Sequence, residues 1–130
     1  MGIDRSENMR RIRGKDTVPE MIVRRLVHAM GFRYRIHRRD IPGIPDLSFL
    51  GRRKLIFVHG CFWHQHPGCV DGHLPKTNAS YWVPKLERNQ TRDKETLKRL
   101  TALGWEVLIV WECETKDLSS LENKIRSFLE

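Results

Sequence analysis

Apolar residues recur at helical spacing through Met21, Ile22, Leu26, Val27, Ala29 and Met30, which predicts a first helix. Asp16-Thr17-Val18-Pro19-Glu20 ahead of it supplies a capping residue, a Pro near the first turn and an acid there. Gly31 ends the run. The period then changes to two. Phe32-Arg33-Tyr34-Arg35-Ile36-His37 alternates apolar and polar, the mark of a half-buried strand. Ile41-Pro42-Gly43-Ile44-Pro45 makes a turn, Asp46 to Leu50 a short strand, and Gly51-Arg52-Arg53 a tight turn. Residues 54–59 are more continuously apolar, which predicts a central strand covered on both faces. Residues 60–79 are irregular and rich in Gly, Pro, His and Cys, a loop length that function or a metal normally explains. Residues 80–103 read as one long amphipathic helix with Trp82, Leu86, Leu97, Leu100 and Leu103 on one side, capped by Gly104. A buried strand over 105–111 and an amphipathic helix over 119–130 complete the chain.

The order αβββαβα predicts an α/β fold, with strands from both halves sharing one mixed sheet and helices on its faces. A chain of 130 residues with 39% hydrophobic positions fits one domain that can bury a core without disulfides. Residues 17–130 form that domain, and residues 1–16 read as a basic arm. There is no internal repeat. No apolar run approaches the ~18 residues of a membrane span. The first residues lack the apolar stretch of a signal peptide, and a superficial myristoylation pattern at Met1–Ser6 has no other support. Three cysteines cannot form a complete disulfide set, which points to a reducing cytosol and to metal ligation.

Charge narrows the partner. A net charge of +8 favours a polyanion, nucleic acid first and an anionic membrane second, against a merely soluble basic protein. The arm carries Arg5, Arg10, Arg11, Arg13 and Lys15, and Arg24, Arg25, Arg33, Arg35, Arg38 and Arg39 follow. Phosphate neutralisation by such residues makes binding salt-dependent, although any single Arg also suits a solvated face.

Asp46 opens a strand after a Pro-rich turn, and the next strand ends at Val58-His59-Gly60. A hairpin of these two strands brings Asp46 and the 57–59 end to one sheet margin, with Glu20 arriving from the first helix. Carboxylates and carbonyls hold Mg²⁺, the ion polarises a phosphate, and His moves protons near neutral pH. Glu20, then Pro45-Asp46, then an apolar strand ending in a polar residue resembles the PD-(D/E)XK nuclease layout, without its usual E-x-K. Asp46 also suits a cap at the start of a strand, and His59 a satisfied interior histidine. Cys61, His66, Cys69 and Cys113 make a Cys₃His set for tetrahedral zinc, with His73 as a competing ligand. Cys113 belongs to that set only if the 105–111 strand lies beside the 54–59 strand. The alternative is three reduced cysteines and unrelated histidines.

The segment His59-Gly60-Cys61-Phe62-Trp63-His64-Gln65-His66-Pro67-Gly68-Cys69 strongly resembles the very-short-patch repair endonucleases. Supporting matches are Asn8-Met9-Arg10, Pro42-Gly43-Ile44-Pro45-Asp46, Lys76-Thr77-Asn78, Tyr81-Trp82, Asn89, Arg92-Asp93 and Gly104-Trp105 through Cys113. The resemblance implies a single-domain, restriction-endonuclease-like mixed sheet with a structural zinc at Cys61, His66, Cys69 and Cys113. It implies Asp46 as the principal Mg²⁺ ligand, helped by the Val58 carbonyl where relatives carry Thr. It makes His59 and His64 catalytic, Glu20 an acid supporting them, and Asp93 a partner behind a histidine. Phe62, Trp63 and Trp82 match residues that push into the base stack, Met9 and Ile12 residues that enter from the opposite groove, and Lys85 and Asn89 residues at the exposed base edges. Such wedges select mispairs, whose steps are cheapest to open.

The implied reaction is a nick in one strand, 5′ to the T of a T:G mismatch left by deaminated 5-methylcytosine, in double-stranded DNA at the nucleoid of a bacterial cytoplasm. Other mismatch-repair proteins are implied partners, no membrane is, and a monomer suffices because one strand is cut. Two alternatives stand beside it. One is a nicking or restriction-linked enzyme of the same fold without mismatch specificity. The other is a non-catalytic, zinc-stabilised DNA-binding module.

Overall fold

The computed structural model describes residues 17–69 and 78–130, so the proposed arm, with Met9 and Ile12, and the competing ligand His73 lie outside the described residues. The elements are α1 (Val18–Ala29), β1 (Arg35–Ile36), β2 (Leu47–Phe49), β3 (Lys54–His59), α2 (Ala79–Ala102), β4 (Glu106–Trp111) and α3 (Leu118–Leu129). A 3₁₀ turn, Glu112–Lys116, joins β4 to α3. The sheet order is β1-β2-β3-β4, antiparallel at the first two junctions and parallel at the last. The expected order, the β2–β3 hairpin and the neighbouring β3 and β4 strands are all present. Among the described residues no helix is long and apolar enough to cross a membrane.

Two cores flank the sheet. Val23 and Val27 of α1 and Leu121, Ile125 and Leu129 of α3 pack with Leu47, Phe49, Ile56 and Val110 on one face. Ile41, Leu55, Phe57 and Leu100 of α2 pack on the other, with Trp105, Val107 and Ile109 against them. Strand β3 therefore sends alternate side chains into two apolar layers, which is why its sequence is nearly continuously apolar.

The local signals explain most boundaries. The Thr17 hydroxyl accepts a hydrogen bond from the Glu20 N–H at 3.4 Å, capping α1 one residue after Asp16. Gly104 has φ +89°, and the Trp105 N–H behind it donates to the Leu100 carbonyl at 3.0 Å, which closes the end of α2.

Three expectations need correction. The helical face of α2 buries Trp82, Leu86 and Leu100, while Leu97 and Leu103 are exposed. In α1 the fully buried residues are Val23 and Val27, and Ala29 faces out. The 32–37 strand shrinks to Arg35–Ile36 because its alternation breaks: Phe32 and Tyr34 turn inward, Ile36 is 44% exposed, and His37 turns in with φ +48°.

Candidate active site

The hairpin register pairs Leu47 with Ile56, which sets Asp46 beside the end of β3. Its Oδ2 accepts the Val58 N–H at 2.6 Å. A cavity of about 300 Å³ opens there, lined by Thr17, Glu20, Asp46, Val58, His64 and Arg92 among others. Burial pushes the Asp46 carboxyl up to about 8, Glu20 beside it pushes the same way, and the Val58 N–H and Arg24 pull it back. Glu20, only 4% exposed, receives Arg24 and His37 on one carboxylate oxygen, His37 at 2.9 Å. These ligand atoms of Glu20, His37 and Asp46 lie within 4.8 Å of one another.

His59 ends β3 and is 8% exposed. Its ring stacks on that of His64 with centroids 3.7 Å apart and planes 9° from parallel. His64 Nδ1 lies 2.6 Å from Asp93 Oδ2, so Asp93, one turn past Asn89 on α2, fixes that imidazole. Burial pushes His59 down to about 4, the charge of His64 pushes it further, and Asp93 opposes both. His59 is therefore neutral near pH 7 and able to accept a proton. Its Nδ1 is buried with no hydrogen-bond partner among the described residues.

Behind these histidines, Cys61, His66, Cys69 and Cys113 offer ligand atoms within 4.8 Å of one another. His66 Nδ1 lies 3.7 Å from Cys61 Sγ and 3.4 Å from Cys113 Sγ. Zinc bonds to sulfur and nitrogen, set at a tetrahedral angle, separate two such ligands by about 3.6 Å, so the residues fit that ion. The β3–β4 register explains how Cys113 arrives. His59 pairs with Trp111, so the chain beyond β4 continues beside the loop after β3. Trp111 stacks on His66 at 4.1 Å and meets His59 edge-on at 5.3 Å, joining the cysteine cluster to the imidazole pair. Burial pushes the Cys61 thiol up to about 12 and raises that of Cys113, shifts that a bound dication would reverse with release of protons.

Phe62, Trp63 and Trp82 meet edge-to-face with centroids 5.4 to 5.8 Å apart. Trp82, the residue of the three on α2, is 6% exposed. The Asn89 amide donates to the Trp63 carbonyl at 3.1 Å, tying α2 to the aromatic loop. Lys85 Nζ sits 4.7 Å over the Tyr81 ring.

Every sequence-selected residue within the described part thus falls into one of three adjoining groups: carboxylates with imidazoles, cysteines with His66, and the aromatic cluster with Lys85 and Asn89. Arg24, expected among the phosphate-facing arginines, is instead buried against Glu20. Sequence reasoning missed Arg92 and His37. Arg92 lines the cavity and follows Asn89 by three residues, a helical spacing that marks it as a neighbour. His37 carried no signal, because the break in alternation that turns it inward is invisible in the sequence.

A mixed sheet with neighbouring carboxylates and a paired imidazole at the mouth of an antiparallel hairpin suits phosphodiester hydrolysis, and the relatives of the chain are enzymes of that class, DNA endonucleases. The sequence model of the family described as DNA mismatch endonuclease Vsr matches residues 3–69. The Type II nicking enzyme V.XorIIP of Xanthomonas oryzae pv. oryzae is 50% identical over 122 residues, 94% of this chain and 89% of that protein. The DNA mismatch endonuclease Vsr of Escherichia coli K12 is 39% identical over 120 residues, 92% of this chain and 76% of that protein. The Type II nicking enzyme V.NmeAIP of Neisseria meningitidis is 40% identical over 113 residues, 87% and 80% of the two chains. The chain belongs to the Vsr family of DNA mismatch endonucleases.

Proposed function

We propose that this endonuclease nicks one strand of double-stranded DNA, 5′ to the T of a T:G mismatch, in a Mg²⁺-dependent reaction. The observation that carries the reading is one cavity shared by the half-buried Asp46 carboxylate and the stacked His59–His64 pair with Asp93 behind it. Asp46 and the Val58 carbonyl, with Glu20 close by, would hold the ion, and a half-buried carboxylate beside a buried one offers the hard oxygen donors it takes. When bound, Mg²⁺ polarises the scissile phosphate and lowers the pKa of a water. The residues themselves do the rest. Asp93 holds His64 by its Nδ1, and neutral His59, stacked on it, is positioned to take a proton. Arg92 adds a guanidinium facing the phosphate. Cys61, His66, Cys69 and Cys113 hold a structural zinc that pins the loop carrying His64, Phe62 and Trp63.

Phe62, Trp63 and Trp82 supply the wedge, Met9 and Ile12 its counterpart from the opposite groove, and Lys85 and Asn89 the contacts to exposed base edges. Opening a stacked step costs a few kcal/mol and least at a mispair, so the wedge selects the mismatch before any base is read. The relative that is 50% identical is a Type II nicking enzyme, which favours a second reading in which matched DNA is nicked as well. The non-catalytic module does not survive the family membership.

The test is nicking of a duplex bearing one T:G pair beside the same duplex with C:G, by the zinc-loaded protein with and without Mg²⁺. Selective nicking of the T strand that needs added Mg²⁺ is the expected result. Equal nicking of both duplexes would establish the second reading, and nicking that persists without Mg²⁺ would remove that ion.

A further inference from the structure

His37 sits where a regular strand would put it in solvent. The Phe32-Arg33-Tyr34 alternation points odd-spaced apolar residues inward, and its continuation would bury Ile36. Instead Ile36 is left 44% exposed, and His37 adopts φ +48°, a left-handed conformation that a residue with a Cβ enters at steric cost. Both departures do one thing: they bring the imidazole to Glu20. Its Nε2 lies 2.9 Å from Glu20 Oε2, on the oxygen that Arg24 also engages, and 3.4 Å from Arg24 Nη2. Arg24 reaches Glu20 along the same helix, four residues on, whereas His37 reaches it from beyond β1. The second donor therefore fixes the carboxylate of α1 relative to the sheet. Glu20 in turn stands beside Asp46, with carboxylate oxygens of the two within 4.8 Å.

Building on the assignment of Asp46 as the Mg²⁺ ligand, we propose that His37 is a positioning residue for the catalytic metal site: with Arg24 it clamps one oxygen of Glu20, so that the carboxylate is held toward Asp46 and a divalent cation meets two oriented acids. Without His37, Arg24 holds that oxygen only from along the same helix, and the ion must set the carboxylate relative to the sheet on binding. Hydrogen-bonding partners that orient metal ligands from behind typically contribute 10- to 100-fold in metal affinity. The clamp itself asks only for a donor at the Nε2 position, not for an imidazole, so Gln at residue 37 should substitute.

The experiment is calorimetric titration of the DNA-free, zinc-loaded protein with Mg²⁺, repeated with Mn²⁺, for the wild type, D46N, H37Q, H37L and H37G. H37Q and H37L keep a side chain at φ +48° and differ in the donor, while H37G removes the imidazole together with the steric cost of that conformation. The expected result is Mg²⁺ binding weakened about 10- to 100-fold in H37L and H37G, with circular dichroism showing every variant folded at the titration temperature, and H37Q within a few-fold of wild type. Equal binding by H37L and H37Q, with D46N alone losing the ion, would overturn the role of His37 and leave Asp46 in place. D46N binding as the wild type does would overturn the Asp46 assignment and this inference with it.

Discussion

On the sheet face covered by α1 and α3, the buried cluster is large and mostly aliphatic: Val23, Val27, Leu47, Ile56, Val110, Leu121, Ile125 and Leu129 pack around Phe49. On the face under α2 the buried aliphatics dwindle to Ile41, Leu55 and Leu100 around Phe57. The remaining space is a cavity of about 270 Å³ that runs from Leu97, Leu100 and Val107 to His59, His64 and Asp93. One strand serves both. Ile56 of β3 enters the first layer, Leu55 and Phe57 enter the second, and His59 ends the strand at the cavity. The contrast teaches where a small domain can keep buried polar groups that lower its stability. Burying Asp46 and an uncharged His59 costs free energy, and the aliphatic face opposite is what offsets it.

The largest effect should come from Asp46→Asn, and it should separate the two faces. Nicking falls to background, because the substituted amide no longer supplies an anionic oxygen to a cation. Stability should move the other way. In the ion-free protein the Asp46 carboxyl is raised from its ordinary 3.8 to about 8. The protonated form therefore favours folding: its contribution is complete below pH 4 and is lost as pH rises toward 8. Asn cannot ionise, and its side-chain oxygen can still accept the Val58 N–H. Thermal melts of the zinc-loaded protein without added Mg²⁺ should show the wild type losing stability between pH 5 and 8.5 on this account while D46N holds it. A parallel loss in both proteins would mean that Asp46 is not the group responsible.

Ile125→Ala strikes the aliphatic face and should do the reverse. Ile125 is fully buried in the layer between α3 and the sheet. Truncation there typically costs about 2–5 kcal/mol, read as a shift in the denaturant midpoint. The nicking rate of the folded fraction at low temperature should stay near wild type, since no atom of Ile125 lines either cavity at the active end. A fall in rate without a fall in stability would show that the two faces are coupled after all.

How much of this was legible in the sequence follows the range of each interaction. The hairpin and the helices were readable because period, caps and turn residues are local: Thr17, Gly104 and the apolar 54–59 run each report on their own neighbourhood. The adjacency of β3 and β4 was readable only through chemistry, since Cys113 needed the company of Cys61 and His66. Asp46 and His59 were singled out by their chemistry at the sheet margin, whereas His64 and Asp93 entered only through the family resemblance of the segments that carry them. What failed was the accounting of one side chain against another far along the chain. Arg24 looked like one more surface cation because nothing in α1 announces that Glu20 is buried. His37 looked like the outward end of a strand, and only the backbone reversal at φ +48° turns it in. Leu97 fitted the apolar stripe of α2, yet the sheet beneath leaves a cavity there that it lines without being buried.

The smallest change tests the seam between the two regions. Gly43 lies in the Pro-rich turn ahead of Asp46 with φ +81°, and a Cβ built there would come within 2.5 Å of Thr96 Cγ2 and 3.2 Å of the Phe57 ring. The turn thus reaches Asp46 only by passing close over α2, three residues beyond Asp93, and over a strand residue of the second core. Gly43→Ala adds a left-handed alanine, about 1–2 kcal/mol, and an overlap that α2 or the turn must absorb, of a similar size. Because Thr96 and Asp93 share α2, a shift there also moves the carboxylate that holds His64. The expected outcome is a stability loss no greater than that of Ile125→Ala, with nicking reduced by more than the unfolded fraction explains. Cutting Thr96 back to Ala in the same chain removes the contacting methyl and should recover much of the activity, though not the backbone cost. If the double variant nicks no better than Gly43→Ala alone, the close approach to α2 is not what aligns Asp46 with the imidazole pair.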